Sequence, residues 1–247
     1  MIVLGVDSSA RSASVAVAQE DVILGESFLN NGLTHSQTLQ PMVDHLLEVL
    51  GMTLADIDVM AVNSGPGSFT GIRIGVAAVK GMAFARDTAC VGVSTLYSLA
   101  RNVGPWPGLI CAAMDARCGQ VYNALFRQGE KGLERLCEDR AITVSQLAQE
   151  LAEWKKSVIF VGDGAALCYN NISKELQDVV LAPENIRYAR GSSVALAGRE
   201  LYDHHRVSSF ELVPTYLRPS QAERERTARM EAARAAEQAL KEQSNKS

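Results

Sequence analysis

The sequence has little that would bind a metal or form a disulfide. It contains five cysteines, none of them in a C-x-x-C pair: Cys90, Cys111, Cys118, Cys137 and Cys168. None of its four histidines shows the HxxxH or HExxH spacing of metal sites, and the neighbours His204 and His205 would point to different sides of a helix. We therefore expect reduced cysteines packed as small core residues, no redox site and no metal site.

Long apolar runs and an excess of positive charge are absent too. No run approaches the roughly 20 residues of a membrane helix, and Met1–Ser9 lacks the basic segment that opens a signal peptide. The hydrophobic fraction of 47% suffices for a core, while the net charge of −4 gives no general attraction to nucleic acid. We expect a soluble cytoplasmic protein without membrane contact, in which any RNA binding needs a partner or a local patch.

Motifs of self-sufficient hydrolases are missing as well. The sequence has no GxSxG elbow and no recognisable cysteine nucleophile. The stretch NSGPGSFTGIRIG (Asn63–Gly75) has four glycines, but it lacks the lysine of a P-loop, and its glycines do not follow the GxGxxG spacing. An anion at the helix-start amides after Ser68 is the alternative that this spacing leaves open. We assign no catalytic residue.

Hydrophobic periodicity predicts two halves built on one plan. In each half an apolar strand ends in Asp and leads through a polar turn containing Arg to a second strand: LGVDSSARSASVAV (Leu4–Val17) and CAAMDARCGQVYNALF (Cys111–Phe126). A rigid connector, Gly104–Gly108, separates the halves. The predicted fold class is α/β, with two duplicated lobes whose mixed sheets are flanked by helices. The predicted domains are 1–103 and 104–190 for the two lobes, 191–219 for a closing helix and strand, and 220–247 for a charged tail.

The individual elements follow this plan. Strands are predicted over Ile2–Val6, Ser14–Ala18, Val22–Phe28, Ile57–Val62, Val91–Val93, Leu136–Ile142 and Val158–Val161. Helices are predicted over Thr34–Leu50, Ile72–Arg86, Thr95–Asn102, Val144–Trp154, Ala165–Leu176 and Gly191–Tyr202. Thr34 and Gln37 have the spacing of a capping box, and Ser94 and either Ser192 or Ser193 are expected as N-caps. The tail is either a solvated, frayed helix or a helix that docks on a partner.

Glycines recur on one face of the second helix. Gly67, Gly71 and Gly75 are four residues apart, and Ala78 and Met82 continue the same face. Because each interior glycine costs about 1 kcal/mol relative to alanine, the spacing indicates that another backbone comes close. That backbone belongs either to the preceding helix of the same chain or to a second chain. We favour the second chain, because the preceding helix carries apolar residues on more than one face. The predicted dimer interface comprises Leu39, Met42, Val43, Leu46, Gly71, Gly75, Ala78 and Met82.

An aspartate closes the first strand of each half. Asp7 and Asp115 could bind Mg²⁺ or act as bases if they face a common cleft. The alternative is that each one caps its own turn. Gly162-Asp163-Gly164 is a glycine turn after a later strand, and its backbone could approach a nucleotide.

Six segments, in matching order over residues 1–218, carry a resemblance to a known family. They are GVDSSARSASVAV, THSQTLQPMV, NSGPGSFTGIRIGVAAVKGMAF, VGVSTL, MDARCGQVY and PTYLRP. Together they resemble TsaB (YeaZ) proteins, subunits of the bacterial machinery that makes threonylcarbamoyladenosine in tRNA. GPGSFTGIRIG and DARCGQVY are the most specific segments, and the residues after Pro219 are not part of the resemblance.

The resemblance implies the actin-like ATPase (ASKHA) fold and a non-catalytic role. TsaB proteins pair with a paralogue, TsaD, which carries the metal-binding histidines and transfers the threonylcarbamoyl group to tRNA next to the anticodon. We therefore expect a TsaD heterodimer, a homodimer when the chain is alone, engagement by the small ATPase TsaE, and tRNA contact only through the complex. The pairing helices of the family correspond here to Thr34–Leu50 and Phe69–Arg86.

The resemblance also implies a degenerate nucleotide site at Asp7, Ser8, Ser9, Gly162 and Gly164. We expect no cofactor of the chain's own, with ADP or ATP and Mg²⁺ confined to the interface with partners. The alternative function is a self-sufficient ATPase or peptidase of the same fold. The lack of a metal-binding histidine pair, a nucleophile motif and a phosphate-binding lysine favours the supporting role.

Overall fold

The computed structural model describes residues 1–130, 132–218 and 229–230, and in these ranges the chain forms two six-stranded sheets. The strands are β1 (Ile2–Asp7), β2 (Ala13–Gln19), β3 (Val22–Leu29), β4 (Val59–Gly65), β5 (Ala89–Ser94), β6 (Leu109–Asp115), β7 (Gln120–Gly129), β8 (Gly132–Arg135), β9 (Arg140–Thr143), β10 (Val158–Val161), β11 (Val179–Leu181) and β12 (Arg206–Val207). The helices are α1 (His35–Val49), α2 (Phe69–Phe84), α3 (Thr95–Val103), α4 (Val144–Trp154), α5 (Ala165–Ile172), α6 (Glu184–Arg187) and α7 (Gly191–His205).

The two sheets repeat one arrangement of strands. The first has the order β12-β5-β4-β1-β2-β3, and the second has β11-β10-β6-β7-β8 with β9 beside β7. In each sheet an antiparallel hairpin, β1–β2 or β6–β7, is joined to a parallel neighbour, β4 or β10. This confirms the predicted fold class of mixed sheets flanked by helices. The predicted closing strand adds to the edge of the first sheet, where β12 pairs with β5.

Alternating residues of β1 divide the first core between two layers of helices. Leu4 and Val6 pack with buried residues of α1 and α2, whereas Val3 packs with those of α7. Helix α7 lies unusually close to β1. A Cβ atom built on Gly5 would lie only 2.2 Å from the carbonyl oxygen of Gly191. The second sheet is covered in the same way: α4 and α5 pack on one face and α3 on the other.

Several predicted element ends need correction. Thr34 makes no side-chain capping bond, so the predicted capping box is wrong, and neither Ser192 nor Ser193 is the N-cap of α7, which begins after Arg190. The predicted strand Leu136–Ile142 is wrong over its first four residues: only Arg140–Ile142 is extended, as part of β9, and β8 precedes the predicted range. The residues between β8 and β9 form a bend, because the two strands pair with opposite ends of β7. The helix predicted over Ala165–Leu176 ends at Ile172, and β11 and α6 were not predicted.

Other expectations are met or fall outside the described residues. Ser94 caps α3, since its Oγ accepts a hydrogen bond from the amide of Tyr97 at 3.2 Å. Cys118 is exposed in the β6–β7 turn, which contradicts the expectation that all cysteines are core residues. No described helix has the length and apolarity to cross a membrane. Most of the predicted tail, 220–247, lies outside the described residues; Arg229 and Met230 are helical.

The glycine face of α2 approaches the chain's own β1–β2 turn. A Cβ on Gly71 would lie 2.1 Å from the carbonyl oxygen of Ser8, and one on Gly75 would lie 2.4 Å from Ser8 Oγ. One on Gly67 would lie 2.4 Å from the carbonyl oxygen of Ser9. A side chain at Gly67 or Gly71 would therefore overlap with backbone, and one at Gly75 would displace the hydroxyl group of Ser8. The expectation that this glycine face meets a second chain is wrong, because the first turn of this chain already occupies it.

We expect Gly71→Ala to lower the free energy of unfolding by about 2–3 kcal/mol, because the new methyl group meets backbone that cannot easily move. The matched control is Gly81→Ala in the same helix, where nothing lies within 4 Å. That control should raise stability by about 0.5–1 kcal/mol through helix propensity. Urea unfolding of both variants measures the difference, and equal effects would contradict the close approach.

Candidate functional site

Polar residues lie at the carboxyl ends of two pairs of parallel strands, β1 and β4 in the first sheet and β6 and β10 in the second. Asp7 ends β1, Asn63 lies near the end of β4, Asp115 ends β6, and Asp163 follows β10. Asn63 Nδ2 donates to Asp7 Oδ1 at 2.7 Å, and the amide of Asp115 donates to Asp163 Oδ1 at 3.2 Å. Asp7 and Asp115 both lie near enough to Asp163 to raise the pKa of its carboxyl group. Asp7 is fully buried while Asp115 is exposed, and a cleft shared by these two carboxyl groups stays a prediction.

Asp7 is fully buried within this group. Burial raises the pKa of its carboxyl group, and hydrogen bonds from Ser9 and Asn63, together with the nearby His35, partly offset this effect. Only Oδ1 receives those hydrogen bonds. Asp7 Oδ2 and Asn63 Oδ1 are buried and have no hydrogen-bond partner among the described residues. An ionised Asp7 would therefore place a charged oxygen without a donor inside the protein, which favours its neutral form.

Asp7 and Asp115 each cap their own turn. The amide of Ser9 donates to Asp7 Oδ1 at 3.2 Å, and the amide of Arg117 donates to Asp115 Oδ1 at 2.7 Å. This confirms the alternative that each carboxylate stabilises the turn that follows it. Across the described ranges, no group of three or more His, Cys, Asp or Glu is placed to hold a metal ion.

The residues predicted for a degenerate nucleotide site have internal partners. Ser8 Oγ donates to the carbonyl oxygen of Gly71 at 2.8 Å, and Ser9 Oγ donates to Asp7 Oδ1 at 2.6 Å. The amides of Gly162 and Gly164 donate to the carbonyl oxygens of Arg187 and Ala113. These donors cannot bind a phosphate unless the protein rearranges. A nucleotide site here stays a prediction, and the geometry lends it no support.

The residues predicted for the dimer interface are largely buried in the chain's own core. In α1 the four predicted positions are at most 7% exposed, and in α2 both glycines and Met82 are buried; Ala78 is partly exposed. Buried side chains cannot contact a partner, so this choice of residues needs correction. The predicted interface residues that are buried, and therefore wrongly chosen, are Leu39, Met42, Val43, Leu46, Gly71, Gly75 and Met82. The broader prediction that α1 and α2 form a pairing surface stays a prediction, and it now concerns the outer faces of these helices.

The outer face of α2 includes a stripe of small residues. Thr70, Ala77 and Gly81 are exposed there, beside the exposed Arg73 and Phe84 and away from the buried glycines. Gly81 has no atom within 4 Å of the position that a Cβ would occupy. No contact within the described part of the chain thus requires glycine at this position.

A C-terminal segment, Ser208–Tyr216, runs along one border of this stripe, and we call it the strap. Lys80 Nζ holds it by donating to the carbonyl oxygens of Phe210 and Leu212, at 3.0 and 2.9 Å. At its end, the ring of Tyr216 stacks on that of Phe69 with centroids 4.8 Å apart. Sequence reasoning missed this strap, and the only signal for it was the PTYLRP segment.

The strap leaves apolar side chains in solvent beside α2. Phe210 is 72% exposed and Val213 63% exposed, and Phe84 of α2, whose ring contacts that of Phe210, is 62% exposed. Clustered large apolar groups on a surface mark an interaction site more often than scattered ones do. The small-residue stripe and the exposed part of the strap together form one candidate docking surface.

Comparisons with known proteins match this chain to two related families, TsaD and TsaB, whose names refer to threonylcarbamoyl modification of tRNA. A family model described as TsaD, tRNA N6-adenosine threonylcarbamoyltransferase, matches residues 31–225. The tRNA threonylcarbamoyladenosine biosynthesis protein TsaB of Bacillus subtilis is 31% identical over 229 residues, which cover 90% of this chain and 96% of the relative. The chain belongs to the TsaB family.

Solved structures give the same fold. YeaZ from Pseudomonas aeruginosa superposes with a TM-score of 0.73 at 27% identity, over 87% of this chain and 99% of that one. The ethanolamine utilization protein EutJ from Carboxydothermus hydrogenoformans has a TM-score of 0.51 at 12% identity, over 80% of this chain and 90% of that one, which is a likeness of fold alone. The two sheets thus form the actin-like ATPase fold expected for TsaB proteins.

The two most specific TsaB segments lie at the two equivalent turns, one covering its turn and the other forming it. GPGSFTGIRIG covers the β1–β2 turn with its glycine face, and DARCGQVY forms the β6–β7 turn. Their functions in the fold differ: the first turn is buried under α2, whereas Arg117 and Cys118 of the second are exposed.

Asp163 provides a test of the electrostatics in this cleft. Asp163 is exposed as a residue, but desolvation of its carboxyl group by surrounding protein atoms, followed by the neighbouring Asp115 and Asp7, raises its pKa from 3.8 to about 6. The folded state therefore binds the proton more tightly than the unfolded state does. The associated stability is present below about pH 4 and is lost as the pH rises through about 6.

We expect Asp163→Asn, which cannot ionise, to gain stability relative to the unmodified chain as the pH rises from about 4 to 7. Thermal melting across this range measures the gain. The control Asp203→Asn, at an exposed position of α7, should show a difference that does not vary in this way. A constant difference for Asp163→Asn would mean that the cleft does not hold the proton.

Proposed function

We propose that this protein is a non-catalytic subunit of threonylcarbamoyladenosine biosynthesis that pairs with a TsaD-type transferase and supports it. The main support for the proposal comes from the outer face of α2. The small exposed residues Thr70, Ala77 and Gly81 would allow another helix to approach the backbone of α2 closely. Small residues allow two helices to approach closely and to bury much of their surface. An exposed glycine in a helix costs stability, and a partner that requires close approach accounts for it.

The comparisons support pairing with a related chain. The TsaD family model matches residues 31–225, a range that contains both α1 and α2. A paralogue with the same fold presents equivalent helices, so two such chains can join helix against helix around an approximate two-fold axis. Without the paralogue, two copies of this chain would use the same surface, which accounts for the predicted homodimer.

The internal hydrogen bonds of the candidate nucleotide site favour a supporting role over the alternative of a self-sufficient ATPase or peptidase. The candidate phosphate-binding amides of Gly162 and Gly164 are already bonded, and the serines of the β1–β2 turn are buried. In the proposed complex the TsaD partner forms N6-threonylcarbamoyladenosine next to the anticodon of tRNAs that read codons starting with A. The tRNA contacts this chain only through that complex, TsaE engages the pair, and ADP or ATP with Mg²⁺ binds where the partners meet.

We expect Ala77→Glu to weaken pairing with the TsaD paralogue at least on the order of tenfold, because a carboxylate would be buried between two helices. The matched control is Ala152→Glu, at an exposed position of α4. It introduces the same change outside the proposed surface and should leave the affinity unchanged. Titration calorimetry with purified full chains measures both.

Equal affinity of Ala77→Glu and the unmodified chain would contradict the proposed surface. An unmodified chain that hydrolyses ATP or peptides without a partner would instead support the alternative function.

A further inference from the structure

The start of α1 is held in an unusual way. Thr34, the N-cap residue, makes no side-chain capping bond, and the first turn of α1 has no acidic residue to favour the helix dipole. The side chain of His35 supplies a different anchor, since its Nε2 lies 2.7 Å from the carbonyl oxygen of Ala10. A carbonyl oxygen only accepts, so Nε2 carries the proton.

The start of α2 is held by the same turn, Ser8–Ala10. The amide of Ser68, the N-cap of α2, donates to the carbonyl oxygen of Ser9 at 2.7 Å. Ser8 Oγ donates to the carbonyl oxygen of Gly71 at 2.8 Å. The starts of α1 and α2, the two helices that the family resemblance predicts for pairing, are thus fixed to three consecutive residues, α1 through Ala10 and α2 through Ser8 and Ser9.

The turn itself has a fixed position. Ser9 donates two hydrogen bonds to Asp7 Oδ1, from its amide and its hydroxyl group, and Asn63 donates a third. Asp7, Ser8 and Ser9 are at most 1% exposed.

From these contacts we infer that His35 is a positioning residue for partner binding: by anchoring α1 to the turn that also anchors α2, it sets the spacing of the two helix starts. This inference rests on the proposed function. Interfaces between well-matched partners pack as densely as protein interiors, so a displaced helix loses contacts along its whole length. His35 would affect pairing without contacting the partner itself.

The test compares two substitutions of His35. Glutamine can place a side-chain N–H near the position of Nε2 and keep the bond to Ala10, whereas leucine fills the space but cannot donate. We expect His35→Leu to weaken binding of the TsaD paralogue on the order of tenfold, and His35→Gln to stay within about threefold of the unmodified chain. If His35 contributed only to general stability, both variants would melt at a lower temperature. Their affinity for the paralogue, measured well below that temperature, would then be unchanged.

Hydrogen exchange of the unpaired full chain gives a second readout. In His35→Leu, amides in the first turn of α1 should exchange faster, while those of α5 in the second half stay protected; His35→Gln should match the unmodified chain. Unchanged exchange, or unchanged affinity in His35→Leu, would overturn the positioning role alone. An unmodified chain that does not bind the paralogue would overturn the proposed function and the positioning role together.

Discussion

The close approach of α2 to the β1–β2 turn is the contact on which the rest of the first half depends. Gly71 and Gly75 leave no space between the helix and Ser8, so the helix rests on the turn itself. This contact buries Asp7 and both serines, and it fixes the direction in which α2 presents its remaining faces. A single side chain on the glycine face would separate the helix from the turn and move every group that depends on it.

One consequence is that inward and outward small residues of α2 have different functions. The inward glycines permit contact within the chain, where their replacement would cause overlap, while Gly81 faces outward and overlaps with nothing in the described ranges. A strap fastened by Lys80 covers one border of the outward face and adds exposed aromatic surface there. The helix is therefore held firmly on one side and left open on the other, as a surface for a second chain requires.

The sequence predicts the fold well where periodicity is local and poorly where contacts are distant. Apolar runs gave β1, β2 and α4 within one or two residues, and Ser94 was correctly predicted as a cap because its bond spans three residues. The glycine spacing predicted a close backbone but not which backbone, because nothing local distinguishes Ser8 from a partner chain. Thr34 failed as a cap because α1 is anchored on Ala10 instead, a contact between residues 25 positions apart.

The duplicated halves differ in how their equivalent turns are covered. Asp7 and Asp115 occupy equivalent strand ends and cap equivalent turns. Yet the first turn is buried by a helix, whereas the second is open and has three successive residues with positive φ: Arg117, Cys118 and Gly119. Covering the first turn removes serine and amide donors from any ligand in the cleft, and the same contact places α1 and α2 relative to each other. The contact that covers the first turn is thus also the contact that fixes the orientation of the outer face of α2.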